Sequence, residues 1–374
     1  MLRVKNDHKT KKFSMQVSEK SDIEILFQDI STFISNLDVN KKIIFIDPIV
    51  LTKKKYFLEL ENRNKNIILI PTNIYEKNKN FNSLISILKI LENEKIGRRN
   101  DAIFVVGGGA LMDAVSLAAS IFRRGVFIYK IPTTLLGIVD ASIGIKTGIN
   151  FQEKRNRIGS YHFDYKVIID SKMLDGLSKN MLRQGLGEIF KIAIIKSKSL
   201  FKILVKYSNS LEDINFYKKN KGLSILKKSI KLMLEELHNN PKEKELKRCV
   251  DFGHSFCPLV EMESIKRPEI KTLPHGFVVI YDCLLTTTIS LLRRKINEDQ
   301  YIKILKLCKK FDFNFNNKIY EDVNLMWVSF MDLVKHRGEN QNLPIPTSIG
   351  HYSFLQDVTY DEMVTANKFL REKL

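Results

Sequence analysis

The stretch "DAIFVVGGGALMDAVSLAASIF", residues 101–122, decides the fold, because an apolar strand runs through Gly107, Gly108 and Gly109 into a helix of small apolar residues. Glycines at such a turn let the backbone approach a phosphate, and the helix N-terminus offers unpaired N–H groups and a positive dipole end. A nucleotide pyrophosphate fits this turn. Met112 stands where the usual dinucleotide fingerprint has its third glycine, so a tight turn without a ligand is the alternative.

Outward from this turn, short β-branched runs alternate with helical patterns between about residues 41 and 170. The predicted strands are "KKIIFIDP", "NIILIPT", "DAIFVVGGG", "VFIYKIPTT" and "YKVIID". This alternation predicts an α/β domain with a parallel sheet. From about residue 178 onward the apolar residues fall mainly at helical spacing. We therefore expect an N-terminal α/β domain over residues 1–177 and a mostly α-helical domain over residues 178–374.

The composition limits the function classes. The chain has 374 residues, with 61 Lys and Arg against 42 Asp and Glu and a net charge of +19. The basic residues are spread along the chain rather than gathered into an arm with interleaved aromatics, so we expect no nucleic-acid partner. The four cysteines lack paired spacing, which indicates reduced thiols. We find no apolar leader and no window near the roughly 20 apolar residues of a membrane span, so we expect a cytoplasmic protein with no membrane partner.

Two further places carry polar residues where a ligand would need them. Asp47 follows the predicted strand "IIFID", where an acidic residue commonly binds a ribose hydroxyl, although a helix-capping Asp is the alternative. Residues 130–161 mix apolar residues with charged ones, so the segment is covered and its charges need partners such as phosphate or one another. Its polar residues are Thr133, Thr134, Asp140, Lys146, Arg155, Asn156 and Arg157.

The stretch "FGHSFCPLVE", residues 252–261, places one histidine, His254, between a glycine and a serine. His254 is either a metal ligand or an ordinary core histidine after a turn. Taken alone, a single histidine favours the structural interpretation.

Several motifs, in one order from about residue 40 to the end of the chain, resemble the sugar phosphate cyclases, whose founding member is 3-dehydroquinate synthase. They are "GGGALMD", "RRGVFIYKIPTTLLGIVDASIGIKTGIN", "GLGEIFKIA", "DFGHSF", "PHG" and "LPIPTSIG". The resemblance implies an N-terminal NAD-binding domain, a helical C-terminal domain that holds a divalent metal, an active site between them, and a homodimer.

The resemblance also implies roles for individual residues. Zn²⁺ or Co²⁺ would be bound by Glu188, His254 and His275, and three such ligands leave a coordination position open for substrate. NAD would be bound by Asp47, Glu76, Lys79, Gly108, Gly109, Asp113, Thr133, Thr134, Asp140 and Lys146, of which the last four also line the reacting carbons. The substrate or its phosphate would contact Arg124, Lys191, Lys231 and Asn156.

Departures from the dehydroquinate synthase pattern are informative about substrate. Pro258 stands where those enzymes have a second histidine, Asp251 replaces an asparagine, and Lys247, beside Arg248, replaces an arginine. A carboxylate at Asp251 would repel a substrate carboxylate unless a cation intervenes, which disfavours an acidic heptulosonate phosphate. Lys247 or Arg248 would be that cation.

The same departures resemble the 2-epi-5-epi-valiolone synthase branch, in "GHSFCP" and "NFQEKRNRIGSY". That branch acts on sedoheptulose 7-phosphate through transient oxidation by NAD, phosphate elimination, reduction and aldol ring closure, with no net redox change. Two residues depart from the branch pattern: Phe277 replaces a glutamate beside His275, and Arg155 replaces a lysine. The alternatives are 3-dehydroquinate synthase or another cyclase of the family, an iron-type polyol dehydrogenase, and a non-catalytic or nucleic-acid-binding relative.

Overall fold

The computed structural model describes residues 23–374 apart from residues 153, 268 and 270, so residues 1–22, where the sequence predicts no apolar leader, lie outside the described part. The strands of the described part are β1 Glu24–Phe27, β2 Lys41–Ile46, β3 Ile67–Pro71, β4 Asp101–Gly107, β5 Ile128–Pro132, β6 Lys146–Phe151, β7 Lys154–Tyr161, β8 Tyr165–Ile169, β9 Leu343–Ser348 and β10 His351–Leu355.

Helices cover the N-terminal sheet and make up most of the chain after it. In chain order they are α1 Ile30–Asn36, α2 Pro48–Lys53, α3 Tyr56–Arg63, α4 Phe81–Asn93, α5 Gly109–Ile121, α6 Lys179–Lys196, α7 Lys198–Lys206, α8 Ile214–Tyr217, α9 Asn220–Asn239, α10 Pro258–Lys266, α11 His275–Leu292, α12 Glu298–Lys309, α13 Val323–His336 and α14 Tyr360–Lys373.

Six strands form one parallel sheet in the order β1-β8-β5-β4-β2-β3. All five strands predicted from the sequence are in it, so the predicted α/β fold with a parallel sheet is confirmed. Strand β1 was not predicted, because four residues with only partial burial carry little periodic signal.

The central strands are buried on both faces, which explains their nearly continuous apolar sequence. Along β2, Ile43 and Phe45 belong to the core beneath α4 and α5, whereas Ile44 and Ile46 belong to the core on the opposite face. The alternation is the period-two geometry of a strand. Because the sheet is held from both sides, the loops at the carboxyl ends of its strands start from fixed positions.

Two antiparallel hairpins lie outside this sheet. Strands β6 and β7 pair from Lys146 with Tyr161 to Phe151 with Lys154, and β9 pairs with β10. The sequence predicted a covered loop over residues 130–161, and part of that segment is instead the β6–β7 hairpin. Exposed and polar positions on β7 hide the alternation that a half-buried strand normally shows.

The second half is mostly helical, as predicted, with α6 and α11 packed together at its centre. Helix α11 is apolar and 18 residues long, enough by length and composition to cross a membrane, but 83% of that window is buried inside the fold. The expectation that no window approaches a membrane span therefore overlooked α11. Its burial is that of a core helix.

One buried charge in the sheet belongs to Lys130 on β5, which is 1% exposed. Its Nζ donates to the carbonyl of Gly144 at 3.1 Å and lies 3.8 Å from the centre of the Tyr165 ring. The Tyr165 hydroxyl donates to the carbonyl of Ile143 at 2.7 Å. Together these two side chains fix the backbone of residues 143 and 144. Burial lowers the pKa of Lys130 to about 8.

This pKa predicts how stability depends on pH. Between pH about 8 and the ordinary lysine value of 10.5, the unfolded chain holds a proton that the folded chain has lost, so stability rises with pH across that window. Across this window the free energy of unfolding should increase by about 3 kcal/mol. Chemical unfolding of wild type and Lys130→Met at pH 7.5 and 10.5 measures it, since other titrations cancel in the comparison. A difference between the two proteins that does not change with pH would contradict this prediction.

Candidate active site

The glycine turn lies at the carboxyl end of β4, where α5 begins. Gly108 is the residue before α5, and a Cβ atom added there would meet, among the described residues, only Thr134 Cγ2 at 3.8 Å. Open space therefore lies over the turn, as close approach of a ligand phosphate requires. Thr133 N donates to the Gly107 carbonyl at 3.0 Å, which places Thr133 and Thr134 beside the turn.

Asp47 lies at the same edge of the sheet, at the end of β2. Its backbone N–H bonds to the carbonyl of Val106 at 2.9 Å, and its side chain accepts the N–H of Ile49 at 2.8 Å. The side chain therefore caps α2, which is the structural alternative considered from the sequence. A role towards a ribose stays a prediction.

Two predicted metal ligands are brought together by close contact between α6 and α11. A Cβ atom added to Gly187 would lie 2.3 Å from the carbonyl oxygen of Gly276, and one added to Gly276 would lie 2.0 Å from that of Gln184. Only glycine allows the two backbones to approach so closely. Glu188 and His275, next in sequence to these glycines, therefore meet at the contact.

His254 reaches the same place from the segment that follows the 3₁₀ turn Cys249–Asp251. Its Nε2 lies 3.5 Å from Oε1 of Glu188, and Nε2 of His275 lies 3.4 Å from the same oxygen. One donor atom from each of the three residues lies within 4.8 Å of the others, which makes a candidate metal centre. The structure thus brings together the three residues that the family resemblance selected.

The protonation of Glu188 and His254 suits metal ligands, whereas His275 binds a proton more strongly. Burial, reinforced by the charge of Lys191, holds the pKa of His254 well below its ordinary value, so the ring is neutral. Burial opposes ionisation of Glu188, but Lys191 and the histidines keep the pKa of its carboxyl well below normal. Burial also lowers the pKa of His275, yet Glu261 and Glu188 outweigh it and raise that pKa to about 9. A metal ion would therefore compete with a proton at His275.

Lys191 and Asp140 border the trio. Lys191 Nζ is 2.5 Å from Glu188 Oε2, and the lysine is 2% exposed. Asp140 lies in the π-helical turn Gly137–Ala141, which packs against α6 and α9. Burial and the nearby carboxylate of Glu188 raise the pKa of Asp140. This arrangement provides one buried ammonium and one carboxyl group with increased proton affinity beside the candidate metal centre.

Glu261 is a site residue that the sequence reasoning missed. Its Oε2 lies 2.9 Å from Nδ1 of His275 and 2.6 Å from NH1 of Arg155, and the residue is 6% exposed. A carboxylate on the second ring nitrogen orients a metal-binding histidine and increases its basicity. The signal in the sequence was Glu261 among the apolar residues of "PLVEM", where a buried charge requires a partner.

Phe277, which replaces the glutamate of the family pattern beside His275, packs in the core rather than against the candidate metal ligands. Its side chain is 4% exposed and packs edge-on against Phe313, with ring centres 5.3 Å apart. Glu261 supplies the carboxylate at His275 instead.

From Arg155 a line of alternating charges leads back to the glycine turn. Arg155 Nε lies 3.3 Å from Glu76, Glu76 lies 3.3 Å from Lys79, and Lys79 Nζ lies 2.9 Å from Asp113 on α5. Lys79 also donates to Asn156 Oδ1 at 2.7 Å and is 1% exposed. These predicted residues come from three separate segments, and the structure brings all of them together.

Asp251 lies between two arginines. Arg248 binds both of its oxygens, with Nε at 3.1 Å from Oδ2, and NH1 of Arg337 lies 2.7 Å from Oδ2. From the sequence, Asp251 is expected to repel a substrate anion unless a neighbouring cation, Lys247 or Arg248, intervenes. In the structure two guanidinium groups pair with this carboxylate, so cations do intervene, and the role of Asp251 in substrate choice stays a prediction. Of the two predicted cations, Arg248 pairs with Asp251, whereas Lys247 is exposed and takes no part in this pairing. The second cation, Arg337, was not predicted from the sequence.

Three other predicted residues lie apart from the metal trio. Lys146 is exposed and pairs with Glu243, which also pairs with Arg248, so it joins the Asp251 group. Lys231 on α9 is exposed. Arg124 is exposed beyond the C-terminal end of α5, and the 13 residues of that helix separate it by about 20 Å from the glycine turn. Arg124 therefore lies outside the site of its own chain.

The residues present fit the groups that the resemblance implies. A carboxylate and two imidazoles form a common donor set for catalytic zinc. Among the described residues, neither oxygen of Glu188 accepts a well-aligned hydrogen bond, although Lys191 forms an ion pair with it, so the carboxylate has capacity for a metal ion. The open space over Gly108, at the start of a 13-residue helix, fits a dinucleotide pyrophosphate.

Comparison with known proteins agrees with this geometry. The family model of the 3-dehydroquinate synthase N-terminal region matches residues 69–184, and that of the C-terminal region matches residues 185–336. A 2-epi-5-epi-valiolone synthase of Streptomyces albus is 38% identical over 305 residues, which are 80% of this chain and 72% of the relative.

Solved structures extend the likeness to the whole fold. The 2-epi-5-epi-valiolone synthase of Streptomyces hygroscopicus subsp. jinggangensis 5008, solved with NAD⁺ and Zn²⁺ bound, superimposes with a TM-score of 0.88 and 31% identity over 97% of this chain and 100% of that one. A 2-deoxy-scyllo-inosose synthase solved with NAD⁺ and Co²⁺ has a TM-score of 0.76 at 16% identity, covers 92% of this chain and 96% of its own, and so shares the fold. The two family models together span most of the chain, and the chain belongs to the 3-dehydroquinate synthase family of sugar phosphate cyclases.

Proposed function

We propose that the protein is a sugar phosphate cyclase that converts sedoheptulose 7-phosphate to 2-epi-5-epi-valiolone, or a stereoisomer of it, and phosphate. The observation that carries the proposal is the convergence of Glu188, His254 and His275, linked by paired charges to an open glycine turn, in a chain so similar to 2-epi-5-epi-valiolone synthases. The cofactors would be NAD and Zn²⁺ or Co²⁺. When bound, they supply reversible hydride transfer and polarisation of a substrate oxygen.

The residues of this chain would hold and orient these groups. Glu188, His254 and His275 would bind the metal, with Glu261 fixing the ring of His275. Gly108 and Gly109 would receive the pyrophosphate. Asp113 and Thr133 would lie towards the rest of the dinucleotide, together with the other predicted residues Asp47, Glu76, Lys79 and Thr134.

Charged groups next to the trio would act on the substrate. The buried ammonium of Lys191 would stabilise negative charge that develops on a substrate oxygen. Asp140, whose pKa burial and Glu188 raise, would hold or release a proton beside the reacting carbons. Asn156 is held by Lys79, and Lys231 is an exposed group that would meet the anionic end of the substrate. Lys146, which pairs with Glu243, would lie with the Asp251 group. The domain boundary that we propose lies between residues 177 and 178.

The Asp251 group would select the other end of the substrate. Because Asp251 pairs with both Arg248 and Arg337, the positive charge that these groups would offer a substrate carboxylate is already balanced in part. A neutral polyol end needs no cationic partner, so this arrangement does not lower its affinity. The pairing therefore favours a heptulose phosphate over a heptulosonate phosphate without requiring repulsion.

A homodimer would complete the site. Phe81 and Phe151, 40% and 41% exposed, pack edge to face beside the Lys79 and Asn156 region. The apolar surface continues through Ile85 on α4 to Ile121 on α5, 46% and 48% exposed. Arg124 lies at the far end of this surface. Because a two-fold interface pairs opposite ends of one patch, it would bring Arg124 of one copy towards the site of the other.

The four cysteines, all buried and free, suit the reducing cytoplasm that we propose as the compartment.

Removal of a metal ligand is the first test. Glu188→Ala and His254→Ala should each lose bound metal and turnover and retain NAD binding, because two remaining ligands rarely hold a catalytic divalent ion. Elemental analysis of the purified proteins measures occupancy. His351→Ala, which removes an exposed histidine on β10, is the control and should keep wild-type metal content. Full occupancy in purified His254→Ala would refute the ligand assignment.

The substrate test uses purified protein with NAD⁺ and Co²⁺. Sedoheptulose 7-phosphate should release phosphate and yield a cyclitol without lasting accumulation of reduced nicotinamide, whereas 3-deoxy-arabino-heptulosonate 7-phosphate should not react. Asp251→Asn should remove the negative charge that balances Arg337 and shares Arg248 with Glu243, and raise the relative kcat/KM for the carboxylate substrate by about tenfold or more. Phosphate release and product identification measure both effects.

Two results would overturn this assignment. Wild-type turnover of the carboxylate substrate at least as fast as of the heptulose would favour 3-dehydroquinate synthase. Stoichiometric, lasting reduction of NAD⁺ by a polyol would favour a dehydrogenase.

The dimer is tested by a charge in the apolar surface. Ile121→Asp should halve the native mass measured by light scattering, whereas Val328→Asp, at a 56% exposed position on α13, should leave it unchanged. Arg124→Ala and Glu188→Ala should each be inactive alone and regain activity when their protomers are mixed, because one hybrid site receives every required residue. No recovery after confirmed subunit exchange would contradict the contribution of Arg124 from a second copy.

A further inference from the structure

Three consecutive backbone N–H groups after His254 converge on one buried carboxylate. The amides of Ser255, Phe256 and Cys257 donate to Oδ2 of Asp282 at 2.9, 2.6 and 2.9 Å. The other oxygen of Asp282 accepts the hydroxyl of Thr286 at 3.3 Å. Asp282 is fully buried, at 0% exposed.

A carboxylate in this position needs a physical reason. Asp282 interrupts an otherwise apolar run, "FVVIYDCLL", in the core helix α11, where an ionised group costs energy unless hydrogen bonds satisfy it. Bonds from N–H groups to a charged oxygen are stronger than those between neutral partners. The carboxylate therefore fixes residues 255–257 against α11 more firmly than an apolar side chain could.

The consequence reaches the candidate metal centre. His275 begins α11, and Asp282 is two turns further along the same helix, while His254 directly precedes the three amides. The bonds from Asp282 thus set the position of the segment that carries His254 relative to the helix that carries His275. Glu261, on the helix that follows this segment, makes a second connection through Nδ1 of His275 at 2.9 Å.

We propose that Asp282 is a positioning residue of the metal centre, which holds His254 at the spacing from His275 that a shared divalent ion requires. The inference rests on the proposed metal-dependent function. Asp282 contacts neither histidine in the described contacts and acts through the backbone of residues 255–257. Its effect should therefore appear in metal affinity and ligand geometry, beyond any effect on global stability.

The experiment compares Co²⁺ binding by wild type and Asp282→Asn, titrated in competition with a chromophoric chelator. The amide keeps the shape of the side chain and removes its charge. We expect Co²⁺ affinity to fall about 10–100-fold, as for other groups that orient metal ligands. The visible absorption spectrum of the bound Co²⁺ should also change, because it reports ligand geometry.

Thr288→Val is the matched control. Thr288 is on the same helix, is equally buried, and its hydroxyl donates to the carbonyl of Leu284 and lies 3.2 Å from the Tyr301 hydroxyl, away from residues 255–257. It should lower the melting temperature and leave the Co²⁺ affinity and spectrum as in wild type. Unchanged Co²⁺ binding by folded Asp282→Asn would overturn the inference, even if that variant melted at a lower temperature.

A milder variant covers the case in which Asp282→Asn does not fold. Thr286→Val removes only the hydroxyl bond to Asp282 and should weaken Co²⁺ binding a few-fold, in line with the loss of one hydrogen bond. Wild-type affinity in Thr286→Val would then count against the inference. If wild type itself bound no Co²⁺, the proposed function would fail and this inference with it, whereas binding by wild type with no change in the variants would refute the inference alone.

Discussion

The structure depends on the backbone contact between α6 and α11 at Gly187 and Gly276. Any Cβ atom at either glycine would overlap backbone atoms of the other helix, so the two helices are as close as their backbones allow. The residues next to these glycines, Glu188 and His275, are carried into one small volume in the core of the helical half. A buried carboxylate beside two partly buried imidazoles is costly without a compensating cation. Lys191 supplies part of that compensation in the chain itself, and a divalent ion would supply the rest.

The same requirement organises the path from the metal trio to the glycine turn. Glu261, Arg155, Glu76, Lys79 and Asp113 alternate in sign, and each is paired with the next. They come from the helical half, the β6–β7 hairpin, the 3₁₀ turn Glu76–Asn78 and its end, and α5 in turn. Each ionised group in this line is paired with a group of opposite charge, so none of these largely covered charges is uncompensated. The proposed metal and dinucleotide positions are thereby held in one electrostatic framework.

The sequence predicted those parts of the molecule whose signal is local. Strands β2 and β4 are continuous apolar runs, and both were found, whereas β7 and β9 were missed because glycine, proline and exposed polar residues obscure their alternation. The metal trio came from family motifs, and the structure brings its members together. Glu261 and Asp282 were missed because their partners lie 14 and 25 to 27 residues away in the chain, and pairing at that distance leaves no periodic pattern. Even so, Asp282 stands alone as an acid in the apolar run "FVVIYDCLL", which indicates a buried carboxylate that needs hydrogen-bond donors.

The pairing of Asp251 shows why residue identity alone did not give the electrostatics. From the sequence, an acid in place of an amide meant an added negative charge near the substrate. In the fold, Arg337 arrives from the end of α13, more than 80 positions along the chain, and shares Asp251 with Arg248. Arginine at position 155 follows a similar logic, since its planar group contacts Glu261 through NH1 and Glu76 through Nε. A lysine offers one point charge and cannot present two donors fixed in different directions. Arg155 therefore balances the charge of Glu261, which contacts Nδ1 of His275, and at the same time pairs with Glu76.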